Sequence, residues 1–145
     1  MTCTCPYCSK PAKLVTGKTI YPHRPDLHDK KFWHCAPCQA YVGCHRTGNG
    51  EAPLGRLANA ELRMWKMRAH EAFDPLWKEL VEKEIEVRGG QTPKGIKQRH
   101  RTDAYKNLAQ DLGIALEDCH IGMFDVATCQ RVVAICNSWT GGIPA

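Results

Sequence analysis

"KKFWHCAPCQAYVGCH" spans residues 30–45, and its Cys-x-x-Cys kernel at 35–38 repeats an earlier one, "CPYC", at 5–8. The two kernels are separated by 26 residues. A redox pair, a disulfide framework and a metal site are the three readings of such cysteines. Thioredoxin-like chemistry sets its Cys-x-x-Cys after a strand of a βαβ pattern, and no such strand precedes Cys5. Disulfides suit oxidising compartments and even counts, whereas this chain has nine cysteines and no apolar leader-like opening. Metal remains. Two residues between cysteines let both sulfurs of one tight turn face one ion, and Zn2+ takes four soft thiolates in a tetrahedron. Cys5, Cys8, Cys35 and Cys38 are therefore the expected ligands of one structural zinc ion.

The flanks fit that reading. "KKFWHC" (30–35) and "QAYVGC" (39–44) are rich in aromatic and β-branched residues and predict short strands. "KLVTGKTIY" (13–21) predicts a further short hairpin about Thr16-Gly17. "HRPDLHDKK" (23–31) reads as a polar loop that stretches the spacing between the knuckles. Cys3, Cys44 and His45 lie close enough in sequence to leave their part in the metal site open.

From residue 51 the texture turns helical. Asn59 is a candidate N-cap, and Leu62, Trp65, Ala69 and Phe73 recur at helical spacing. Asp74-Pro75 predicts a restart, with Asp as cap and Pro in the first turn. Leu76, Trp77, Leu80, Val81 and Ile85 extend the apolar stripe. "RGGQTPKGIKQRHR" (88–101) reads as a loop because of its glycines and proline. "TDAYKNLAQDLG" (102–113) predicts a helix ending at Gly113. Asp125 predicts the cap of a last helix bearing Cys129, Val132, Val133 and Cys136, with Met123 and Phe124 as its staple. Its cysteines read as small core hydrophobes rather than a second metal site. The expected fold is α+β: a four-cysteine zinc ribbon over 1–50, packed on a bundle of about four helices over 51–145 with a basic loop at 88–101.

Charge is unevenly placed. The net is +5 over residues 1–50, −2 over 51–87, +5 over 88–101 and −3 over 102–145, which sums to the +5 of the chain. Two basic regions point to an anionic partner, nucleic acid first. Candidate phosphate contacts are Lys13, Lys18, Lys30 and Lys31 in the ribbon and Lys94, Lys97, Arg99 and Arg101 in the loop. Lys10 and Arg24 are near by, and Tyr7, Tyr21 and Phe32 are candidates for stacking on unpaired bases. No enzyme signature accompanies them. The chain lacks the His-x-Glu of zinc deaminases, His-Glu-x-x-His, a P-loop and Gly-x-Ser-x-Gly. A non-enzymatic role is expected, with no membrane partner, since no apolar run reaches the roughly 18 residues of a span. The alternative is a protein-interaction module that binds and modulates a host or defence protein, and helices with exposed faces would also permit a homodimer.

Six strings complete the pattern: "CPYC" (5–8), "WHCAPC" (33–38), "YVGCH" (41–45), "PLGRLANAELR" (53–63), "AHEAFDPLW" (69–77) and "CHIGMFD" (119–125). Together they resemble the phage and prophage zinc-finger-containing proteins, a family of unknown function. The resemblance implies zinc at Cys5, Cys8, Cys35 and Cys38 and a bacteriophage or prophage origin, so that the cytoplasm expected from the lack of an apolar leader is that of a bacterial host. It implies no particular biochemical activity.

Overall fold

The structure, a computed structural model, describes residues 2–140. It is α+β and divides into two compact units, one up to Arg63 and one from Met64 onward.

The first unit is built on three antiparallel strands in the order β1 (Lys13–Thr16), β2 (Lys31–Cys35) and β3 (Ala40–Gly43). Register is explicit: Leu14 faces Trp33, which faces Val42. Strand side chains alternate, so these three share one face with Cys35 and Ala40. That face packs with Cys5, Ala12 and Leu57 into a small core. Trp33 is held there by donating from Nε1 to the Glu51 carbonyl at 2.7 Å. The opposite face carries Lys13, Phe32, His34 and Tyr41.

Residues 13–21 do not form the expected self-contained hairpin. β1 pairs instead with β2, and the chain after it turns through a short helix α1 (Gly17–Ile20). Gly17 is required by packing: a Cβ there would lie 1.7 Å from the Leu27 carbonyl oxygen. A glycine next to β-branched residues looks the same in sequence whether it makes a turn or admits a neighbouring backbone.

The second unit is helical. α2 (Ala60–Val87) begins within the first unit, where Asn59 caps it by accepting from Leu62 N–H at 3.0 Å. It runs 28 residues without restarting at Asp74-Pro75. Asp74 accepts from Trp77 Nε1 at 3.1 Å, so it is a side-chain partner inside the helix rather than a cap. Among the described residues there are thus three long helices besides the short α1. α3 (Ile96–Leu112) ends at Gly113, whose φ of 73° is left-handed. α4 (Val126–Trp139) is capped by Asp125, which accepts from Thr128 N–H at 2.8 Å. The core of this unit joins Phe73 and Tyr105, with ring centroids 4.5 Å apart, to Leu108, Ile121, Phe124 and Val132. Met123, expected beside Phe124, is exposed. Cys119, Cys129 and Cys136 are buried, and burial pushes their thiols up to about 11, 11 and 12. They are core residues.

α3 starts six residues before the expected helix, so the loop is shorter than 88–101. Lys97, Arg99 and Arg101 are helical, and Gly95 precedes them in a left-handed conformation. No helix among the described residues is long and apolar enough to cross a membrane.

Candidate functional site

Each Cys-x-x-Cys kernel forms a compact turn. In the first, Ser9 N–H donates to the Cys5 carbonyl and Cys5 N–H to the Lys10 carbonyl, both at 2.9 Å. The residue after each second cysteine, Ser9 and Gln39, has φ of 63° and 52°. Non-glycine residues seldom adopt that region, and here it lets the chain reverse immediately beyond the second sulfur. The second turn is anchored by β2 and β3, since Cys35 and Ala40 are paired across them. The first is tied to the start of α2, where Asn59 N–H donates to the Tyr7 hydroxyl at 3.1 Å.

The Sγ atoms of Cys5, Cys8, Cys35 and Cys38 all lie within 4.8 Å of one another. The Cys8–Cys35 pair is 3.7 Å apart. A tetrahedron with Zn–S bonds of about 2.3 Å has sulfur–sulfur edges of about 3.8 Å, so the cluster fits the ion. Electrostatics agree. Burial raises the Cys5 thiol, but backbone N–H groups of Tyr7 and Cys8 outweigh it and bring the pKa down to about 7. The Cys38 thiol is pushed up to about 12 by burial and by sharing protons with Cys35, Cys8 and Cys5. One thiolate forms readily and its neighbours resist a second negative charge, a conflict that a divalent cation relieves. Four thiolates also fill a tetrahedral shell, leaving no open position.

Cys3, Cys44 and His45 fall outside the four-sulfur group. Cys3 and Cys44 are half-buried and pack against the core beside it, and burial raises both thiols. His45 is exposed.

The structure separates the basic residues into two kinds. In the ribbon, Lys10, Lys13, Lys18 and Lys30 are exposed and make no salt bridge among the described residues. Lys31 donates to the Asn49 carbonyl at 3.3 Å. Arg24 is neutralised by Asp26 at 2.8 Å. In the second unit, Glu84 gathers Arg88 at 3.0 Å, Arg99 at 2.6 Å and His100 at 2.9 Å. The Arg99 guanidinium above all, with His100 and Arg88, holds the Glu84 carboxyl down at about 2. Arg99 is therefore not a free phosphate contact. Lys94 and Lys97 are exposed, and the Arg101 guanidinium lies 5.7 Å from the Tyr105 ring centroid.

The stacking candidates divide as well. Phe32 is buried within an edge-to-face cluster with Tyr21 and Tyr41, so it presents no free ring. The Tyr21 and Tyr41 hydroxyls are hydrogen-bonded at 2.8 Å, and the Arg63 guanidinium sits 4.3 Å over the Tyr41 ring. Tyr7 is 40% exposed. Arg63, His34 and Tyr41 carry no motif that marks them as site residues in the sequence. The alternation in "KFWHC" was the signal for His34, but only the strand register sets it between Lys13 and Tyr41.

The chain belongs to a family described as a zinc-finger-containing domain, whose profile matches residues 1–88 and 92–139. The match spans both units and most of the basic segment. Neither a curated protein nor a solved structure matches the chain.

Proposed function

We propose that this zinc-finger-containing protein is a nucleic-acid-binding accessory factor, in which the metal is structural and the ribbon supplies the binding surface. The observation that carries this reading is the set of exposed lysines of the ribbon that make no salt bridge among the described residues: Lys10 and Lys13 beside the zinc turns, and Lys18 and Lys30 at the other end of the sheet. Lys10, Lys13 and Lys18 have no salt-bridge partner among the described residues and keep their attraction for phosphate, whereas the Asp26 carboxylate offsets part of the Lys30 charge. Lys94, Lys97 and Arg101 form a weaker second contact, since Glu84 neutralises the arginines beside them. A closed four-thiolate shell supports a scaffold role for the metal rather than a catalytic one. The resemblance to phage and prophage proteins favours action in the cytoplasm of a bacterial host.

The test is fluorescence anisotropy of the zinc-loaded protein against single- and double-stranded DNA and RNA over a salt series. About four or five lysine–phosphate contacts give a log–log salt slope of roughly −3 to −4 on a single strand. Reversing Lys13, Lys18 and Lys30 together should flatten the slope more than reversing Lys94, Lys97 and Arg101. Absence of binding at low salt refutes the proposal. A partner retained from host lysate regardless of salt would then favour the protein-docking alternative, for which α2 offers exposed Met67, Leu80 and Val87.

A further inference from the structure

A cavity of about 280 Å³ opens beside the zinc turns. Pro11, Ala36 and Pro37 give it apolar walls, Lys10 and Lys13 stand at it, and His34 lines it next to Cys8 and Cys35. We infer that this recess seats one unpaired nucleobase of a single-stranded nucleic acid, with the flanking phosphates on Lys10 and Lys13. The inference rests on the nucleic-acid reading above and assigns that reading a subsite and a strandedness.

Three features select a base over a bare anion. The apolar walls offer a phosphate few donors, whereas proline rings and an imidazole suit the face of a flat heterocycle. Both lysines are exposed, so their ammonium groups extend toward solvent, where phosphates on either side of an inserted base would run. A divalent ion held by the four thiolates would leave a formal charge of about −2 behind the Cys8 and Cys35 wall. With an ion bound, that charge would cancel the pull of Lys10 and Lys13 inside the recess, which leaves an uncharged base as the favoured occupant and the phosphates outside it. A paired base is held inside its duplex and reaches such a pocket only after costly extrusion, so a single strand is preferred.

The sheet continues the path. Lys13, His34 and Tyr41 are cross-strand neighbours on one face. The row ends beneath Arg63, whose guanidinium is fixed by donating to the Ala58 carbonyl at 2.6 Å. A strand leaving the pocket along this row meets a cation–aromatic pair at its far edge, the combination that tracks single strands without reading sequence.

The experiment compares three labelled ligands on the zinc-loaded full chain: an oligothymidylate dodecamer, an abasic dodecamer with the same phosphates, and a duplex of equal length. Anisotropy reads affinity, and native mass spectrometry confirms that each variant retains its zinc. The expected result is oligothymidylate binding on the order of tenfold tighter than the abasic strand. Ala36→Leu fills the recess from an exposed position without changing charge, and it should abolish that preference while sparing abasic binding. Lys10→Glu with Lys13→Glu should weaken both strands alike. Equal affinity for the thymidylate and abasic strands, or a preference that survives Ala36→Leu, overturns the pocket assignment while leaving nucleic-acid binding in place. Failure of all three ligands to bind overturns both.

Discussion

Removing zinc should unfold the first unit and spare the second. In the first unit the large buried side chains are Phe32, Trp33, Leu57 and Leu62. At about 1.5–3 kcal/mol each, their burial contributes about 6–12 kcal/mol. A structural four-ligand zinc site contributes about 10–16 kcal/mol near neutral pH. Loss of the metal thus subtracts as much as the ribbon's whole apolar gain. The helical unit has its own core, in which Phe73, Leu108, Ile121, Cys129 and Val132 are fully shielded from solvent. The assay is hydrogen-exchange mass spectrometry before and after stoichiometric chelation, with far-UV circular dichroism alongside. Peptides over 31–43 should lose protection by several orders of magnitude, while peptides over 103–112 and 128–136 keep theirs. The 222 nm signal should fall only slightly, because it comes mainly from α2, α3 and α4. Acid should act like the chelator, since zinc binds thiolates and protons compete for them below the ordinary thiol pKa of about 8.5. Unchanged protection over 31–43 in metal-free protein would refute the structural role. Collapse of the helical signal would refute the independence of the second core.

Four further outcomes follow from particular contacts. The Glu84 pKa is depressed from 4.5 to about 2 by Arg99, His100 and Arg88, so its contribution is intact above pH 4.5 and is lost as pH falls toward 2. Glu84→Gln should remove that part of the acid dependence, seen as a flatter profile of Tm against pH over that window. Phe73→Ala, at a fully buried ring packed at a tilt against Tyr105, should cost about 3–5 kcal/mol in urea melts of the helical transition. Asp125→Ala removes the acceptor for Thr128 N–H and should cost about 1 kcal/mol by the same measurement. Pro75→Ala restores a backbone donor in the middle of α2 and should stabilise the helical unit by up to about 3 kcal/mol.

The metal centre was legible because its chemistry is local. Two residues between cysteines restrict the turn, and four thiols leave few alternatives for their use. The ends of α3 and α4 were legible for the same reason, through Gly113 and Asp125. The pairing of β1 with β2 was not, because Gly17 looks like a turn residue until the Leu27 carbonyl is seen against it. Strand register is likewise a non-local property, and the Lys13–His34–Tyr41 row depends on it entirely.

Pro75 and the basic segment show a deeper limit. Asp-Pro is a common helix start because its missing N–H costs nothing in a first turn. In mid-helix the same proline forfeits one hydrogen bond, which a long apolar stripe can offset. Ala69, Phe73, Trp77 and Val81 are all buried at four-residue steps on either side of Pro75, so continuing the helix keeps one unbroken face in the core. Breaking it would turn Trp77 and Val81 away from the Phe73 side. Tertiary burial therefore overrides the local signal. The charges of 88–101 follow from that continuity. An uninterrupted α2 carries Glu84 to where Arg88, one turn on, and Arg99 and His100 from α3 can reach it. A segment that is +5 by composition thereby becomes one in which two arginines face a carboxylate, and the unbridged lysines of the ribbon become the stronger candidates for an anionic partner.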